Sequence, residues 1–227
     1  MHPYLQPLQN MLTQAANPAD AASMKKYMLN QFEYFGIRAP KQKEIKRVFF
    51  KTHGLPDPGE LPEMVKELWN QPQREYQYFA IDLCEKLLKK TDQEIIGLIE
   101  FMVVNKSWWD TVDWLASHHT GSYFKTHPHL ICGITSAWME SGNIWLQRTC
   151  ILFQLKYKRN TDEDLLFEYI LRLKDNKEFF IRKAIGWALR EYSKTAPHKV
   201  VNFVENTALS GLSHREALKW LNRNKTE

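Results

Sequence analysis

The chain has 227 residues, 44% hydrophobic and 13% aromatic, enough for a sizeable buried core in one domain or one continuous array. Its 31 Lys and Arg exceed its 26 Asp and Glu, a net charge of +5 that favours an anionic partner, and without a basic tail the charge falls on folded surface. The longest apolar run, Ile95–Val104, is too short for a membrane span and contains Glu100, and no basic-then-apolar leader opens the chain, so a cytoplasmic, unsecreted protein is expected.

Cys84, Cys132 and Cys150 are odd in number, far apart and in apolar surroundings, which predicts reduced core thiols without a disulfide. In chain order, Leu5, Leu8 and Leu12 follow Pro3 at helical spacing, and Asn17-Pro18 punctuates before a second helix over residues 19–32. Gly36 and Pro40 close that segment. A basic helix follows, with Lys41, Lys43, Lys46, Arg47 and Lys51 around Ile45, Val48 and Phe49, ending at His53-Gly54. The turn Leu55-Pro56-Asp57-Pro58-Gly59 leads to a helical hairpin over 61–69 and 73–89, broken at Pro72. Residues 92–104 and 107–118 make the next pair. Helices are then predicted over 129–140, 143–158, 162–174, 178–193, 198–206 and 213–223, and no segment shows convincing strand alternation.

Short polar or Pro/Gly joints between amphipathic helices imply pairs stacked side by side. Arg148-Thr149-Cys150-Ile151 with Phe153, Arg182-Lys183-Ala184-Ile185 with Trp187, and Arg215-Glu216-Ala217-Leu218 with Trp220 superimpose at spacings of about 34 residues. One period before Arg148 lies Asp113, and one more leads to Tyr78. The predicted fold is all-α: an α-solenoid of HEAT-like antiparallel helix pairs, a single domain over residues 1–227, with a concave groove lined by equivalent helices. That lining carries Lys106, Arg148, Lys156, Lys158, Arg182, Lys183 and Arg190 among Trp109, Trp145, Trp187 and Tyr192, a basic and aromatic mixture suited to nucleic acid.

The richest stretch is Ser107-Trp108-Trp109-Asp110-Thr111-Val112-Asp113-Trp114. Ser107 with Asp110 reads as a capping box that starts a helix at Trp108, leaving Trp108, Val112 and Leu115 for the core. Trp109 and Asp113, four apart, share the neighbouring face. Asp113 has two readings: a carboxylate offered to a ligand, or one rung of an Asp–Arg ladder with Arg148. Trp187 follows Gly186 and projects off the core stripe Ile181, Ala184, Ile185, Ala188 and Tyr192, either towards a ligand or against the next repeat. Tyr27, beside Lys25 and Lys26, contacts a ligand or closes the first hairpin. His118-His119 and His127-Pro128-His129 form a metal-like cluster, but the adjacent first pair and the missing thiol or carboxylate argue against a metal site. Gly-rich phosphate loops, a nucleophile elbow and the zinc-deaminase signature are absent from the sequence, and no cofactor is expected.

Four segments carry a resemblance: 107–113, Asn143-Ile144-Trp145-Leu146-Gln147-Arg148, Ile151-Leu152-Phe153-Gln154-Leu155-Lys156-Tyr157-Lys158, and Lys177-Glu178-Phe179-Phe180-Ile181-Arg182-Lys183-Ala184-Ile185-Gly186-Trp187. Together they resemble the AlkD-type bacterial DNA glycosylases, over nearly the whole chain. The resemblance implies a HEAT-like solenoid that binds duplex DNA in its groove and removes cationic N3- and N7-alkylated purines. It implies Asp113 as the functional carboxylate, Trp109 and Trp187 as its two indoles, Arg148 as the groove arginine and Tyr27 as an N-terminal DNA contact. Lys156, Lys183 and Arg190 are further expected DNA contacts from their charge and place in the lining.

Alkylation at N7 or N3 makes the purine a cationic leaving group, and the sugar left behind is oxocarbenium-like. A carboxylate near C1′ stabilises it, and indole faces attract the positive charge. Nothing marks a Schiff-base lysine beside Asp113, so a hydrolytic enzyme leaving an abasic site without cutting the strand is expected. A monomer suffices for this, and no obligatory protein partner is expected. The competing expectation is a non-catalytic HEAT-like nucleic-acid-binding or scaffold module in which Asp113 and Arg148 are a structural rung.

Overall fold

Short helices joined by turns build most of the described residues, and Asn17, Asn143 and Asp162 cap three of them with their side chains. The computed structural model describes residues 1–88 and 95–224, which are all-helical apart from an isolated bridge between Glu33 and Gln73. The chain divides into two compact units, Met1–Ile95 and Ile96–Glu227.

In the first unit a 3-10 turn, Pro3–Leu5, runs into α1 (Gln6–Gln14), and Leu5, Leu8 and Leu12 are all buried. Asn17 starts α2 (Pro18–Tyr27) by accepting from the Ala19 and Asp20 N–H groups. The helix stops at Tyr27 and not at residue 32, because Leu29 and Asn30 adopt φ of 54° and 61°. Their N–H groups return to the Lys26 and Lys25 carbonyls, so the end is closed by a left-handed cap. Gly36, at φ +85°, admits no side chain, since a Cβ would lie 2.1 Å from the Asn17 carbonyl oxygen.

Next come α3 (Ala39–His53), α4 (Leu61–Asn70) and α5 (Arg74–Leu87). The buried Glu75 of α5 accepts from the N–H groups of Phe35, Gly36 and Ile37 at 3.0–3.1 Å, tying down the loop before α3. Gln77 donates to the carbonyls of Leu68, Trp69 and Gln71, satisfying the end of α4. Phe49, Trp69, Tyr76 and Phe79 are buried here, each contributing about 1.5–3 kcal/mol by area.

The second unit contains α6 (Ile95–Val104), α7 (Trp109–Trp114), a π-helical segment (Leu115–Thr120), α8 (Gly121–Thr126), α9 (Ile131–Glu140), α10 (Ile144–Leu152), α11 (Glu163–Leu173), α12 (Phe179–Ser193), α13 (Pro197–Asn206) and α14 (Gly211–Asn224). Helix α7 packs on α10, α10 on α12 and α12 on α14. These carry Asp113, Arg148, Arg182 and Arg215, so stacking in this unit follows the sequence period and is solenoid-like. Gln147 repeats the device of Gln77 two periods earlier: its amide donates to the Met139 carbonyl and closes α9.

Several predicted bounds move. The helix predicted over 107–118 begins at Trp109 and continues through the π segment to Thr126. That predicted over 143–158 ends at Leu152, and turns follow to Lys158, which has φ 54°. Lys89 and Asp92, the predicted bounds of two further helices, lie outside the described residues. Cys84 and Cys150 are buried and burial pushes both thiols up, whereas Cys132, expected in the core, is exposed on α9. No helix among the described residues is long and apolar enough to cross a membrane.

Candidate functional site

Asp113 sits on a helix whose start is set by the end of the one before it. Lys106 adopts φ 46°, and the Ser107 hydroxyl donates to the Val103 carbonyl at 2.6 Å, closing α6. The expected capping box is therefore not formed. Trp108 precedes α7 in extended conformation, with no side-chain capping bond. Its ring packs on Trp145 of α10 and Phe180 of α12 at centroid distances of 5.9 and 5.1 Å, so α7 enters already pinned to both partners.

Beyond Trp114 the helix widens into the π segment, where Leu115, Ala116 and His119 are buried. Such segments relax the side-chain register of a helix and recur at functional positions. Ser117 donates to the Asp113 carbonyl at 2.7 Å. Gly121 ends the segment against α10: a Cβ there would lie 2.5 Å from the Phe153 carbonyl oxygen, and Tyr157 donates to the Gly121 carbonyl at 2.7 Å.

The Asp113 carboxylate is held by Arg148 through two parallel bonds, Nε to Oδ1 at 2.7 Å and Nη2 to Oδ2 at 2.9 Å. Arg148 is 4% exposed, and its Nη1 donates to the Phe180 carbonyl. Three donors of one fork fix the carboxylate plane against α10 and α12. Burial pushes the Asp113 carboxyl up from its ordinary range; Arg148 opposes this, and the neighbouring Asp110 adds to it.

An open cavity of about 420 Å³ lies over this pair. Trp109, Asp110, Asp113, Trp114, Ser117 and His118 line it from α7 and the π segment, Leu155 and Lys156 from the chain after α10, and Trp187 and Glu191 from α12. Trp109, Asp113 and Trp187 thus meet at one cavity, with Arg148 behind the carboxylate. The helix beside Trp187 is approached closely by α14: a Cβ on Gly186 would lie 2.5 Å from Glu216 Cβ and 2.9 Å from the Ser213 carbonyl oxygen. The glycine answers the next repeat while the indole reaches the cavity.

The other cations divide. Lys183 and Arg190 share Glu216, at 3.0 and 2.7 Å, and these two bonds clamp α12 to α14. Hydrogen bonding from Lys183, then the charges of Lys183 and Arg190, hold the Glu216 carboxyl below its ordinary range. Arg182 donates to the Asn176 carbonyl, Trp145 packs against Phe180, and the buried Tyr192 donates to Glu163. Lys156 contacts the His118 ring nitrogen Nε2. Tyr27, the last residue of α2 in the first unit, is 72% exposed. Among the described residues no group of three His, Cys, Asp or Glu side chains is placed to hold a metal.

Residue-type reasoning missed Trp114 and His118 as partners. Their rings stack at 3.8 Å with an interplanar angle of 3°. The signal was the four-residue spacing on one helical face, obscured by weighing His118 only together with His119 as a metal-like cluster.

A family model described as DNA alkylation repair enzyme matches residues 8–221. Among solved structures, a predicted DNA alkylation repair enzyme from Enterococcus faecalis is similar, with 35% sequence identity and a TM-score of 0.83 over 91% of this chain and 96% of that one. Comparison with curated proteins gives no match.

Proposed function

The chain belongs to the DNA alkylation repair enzyme family, and from that premise we propose that it is a monofunctional DNA glycosylase for cationic N3- and N7-alkylated purines in duplex DNA. The observation that supports this most is a carboxylate oriented by a buried arginine at the wall of an open cavity that two indoles share. Cleavage of the bond from C1′ to the purine nitrogen sends the bonding electrons to the cationic base, which leaves neutral. The positive charge stays on the sugar. Asp113, ionised and immobile, stabilises that charge without reorganising, and water adds at C1′ with loss of a proton. Trp109 and Trp187 offer π faces to the same charge and exclude bulk water. Arg148 acts through Asp113 as a positioning residue. Tyr27 and Lys156 are proposed contacts to the DNA backbone, and Lys183 and Arg190 would contact it only by sharing their charge with Glu216. The enzyme works as a cytoplasmic monomer and leaves an abasic site.

A second reading has one observation in its favour: the bidentate Asp113–Arg148 pair is also what a structural rung looks like, and a nucleic-acid-binding module would keep it. Base release from methylated duplex DNA separates the two. Asp113→Asn is expected to lower release of 7-methylguanine by about a thousandfold while DNA affinity stays near that of the parent. Equal release by variant and parent, or none by the parent, overturns the glycosylase. Covalent trapping of the protein on DNA by borohydride would overturn the monofunctional assignment alone.

A further inference from the structure

Trp114 and His118, one helical turn apart, stack face to face on the cavity wall beside Asp113. Ser117 gives its only proton to the Asp113 carbonyl, so its oxygen, 3.0 Å from His118 Nδ1, can only accept there. His118 therefore carries its proton on Nδ1, and Nε2 holds the lone pair that accepts from the Lys156 ammonium. The partner of Lys156 is thus a neutral ring, unlike Glu216, which neutralises Lys183 and Arg190. The ammonium also stands 5.9 Å from the Trp114 ring centroid. The other ionisable groups facing this cavity are Asp110 and Asp113 from α7 and Glu191 from α12. Asp113 is matched by Arg148, and Glu191 pairs with Lys194 at 2.6 Å.

We propose that Lys156 and His118, braced by Trp114, form a proton-linked clasp for one phosphodiester of the DNA backbone beside the reacting sugar. The proposal rests on the DNA reading above but not on catalysis. A phosphate at this edge accepts from Lys156 and displaces it from Nε2. The freed Nε2 takes a proton from solvent and becomes a second donor to the phosphate, while Nδ1–H stays on Ser117. Two bonds in which both partners are charged replace one between an ammonium and an uncharged ring, and the indole face under the imidazolium favours its charge. Bound phosphate raises the proton affinity of His118, so DNA binding takes up a proton. The gain is complete at pH below the titration of the free ring and is lost as pH rises through that of the bound ring.

The test is fluorescence anisotropy on an unmodified duplex at fixed salt, at about pH 6 and about pH 8. The parent is expected to bind about fivefold tighter at the lower pH, His118→Gln to show less than about a twofold difference, and Lys156→Gln to lose affinity at both. Melting curves check that the variants fold, and an NMR titration of the parent imidazoles with duplex locates the proton if either variant does not. Retention of the parent's pH dependence in His118→Gln, or no pH dependence in the parent, overturns the clasp. Protonation of His118 by inorganic phosphate alone, to the same degree as by duplex, overturns the assignment to the DNA backbone. Unmodified DNA contains no alkylpurine, so failure of the glycosylase reading leaves this measurement intact.

Discussion

Two carboxylates on the stacked helices of the second unit have been put to opposite uses. Asp113 has one cation, Arg148, is buried enough that its carboxyl is pushed up, and faces a cavity. Glu216 has two cations, Lys183 and Arg190, its carboxyl is held down, and it faces the joint between α12 and α14. Both sit in the same repeat architecture, in which Asp113 and Glu216 are one residue out of register with each other, Glu216 following Arg215 where Asp113 aligns with Arg148. A carboxylate surrounded by cations is spent on holding helices together. One oriented by a single buried fork, with its outer edge open, keeps a charge that a ligand can use.

Breaking the first arrangement is expected to have the larger effect. Arg148→Ala leaves Asp113 buried without its cation and should cost about 3–5 kcal/mol of stability, read as a lower denaturant midpoint, and Arg148→Lys should recover little because the two parallel bonds are lost. Gly186→Ala comes next. Its new methyl meets the Ser213 carbonyl and Glu216 Cβ, so α12 and α14 must part, at a cost of about 1–3 kcal/mol in the same measurement. Glu216→Gln is the mildest, about 1 kcal/mol or less, since Lys183 and Arg190 are partly exposed and screened.

Acidity sharpens the contrast because the two shifts have opposite signs. Glu216, held down, contributes stability that is present above the ordinary carboxylate range and lost only as pH falls through its lowered value. Asp113, pushed up, is protonated first; the stability contribution linked to its raised proton affinity is present at low pH and lost as pH rises. On acidification, the base release that the proposed glycosylase activity would give is therefore expected to fall, with the uncatalysed rate subtracted, while the melting temperature still includes the Glu216 clamp. Coincident loss of both would show that one charge governs the whole unit.

Much of the fold was legible from spacing alone. The repeat of Arg148, Arg182 and Arg215 predicted which helices stack, and α10, α12 and α14 do pack in that order. Helix ends were less legible. Leu29 and Asn30 stop α2 through left-handed backbone that no glycine announced, and Ser107, whose motif suits a helix start, bonds backwards to Val103. Side chains of this kind can serve either neighbouring helix, and the backbone geometry between the two decides.

By itself the sequence determined the helical class and the period, and it put Asp113 one period before Arg148, because these follow from residue type at regular intervals along a helix. Only the tertiary structure decided which cation answers which carboxylate. Lys183, Arg190 and Lys156 look equivalent as positive charges in a lining. The close approach of α14 at Gly186 hands the first two to Glu216, and the π segment brings His118 to the third. Pairing depends on a few ångströms between helices, and that separation is set by packed volumes far apart in the chain.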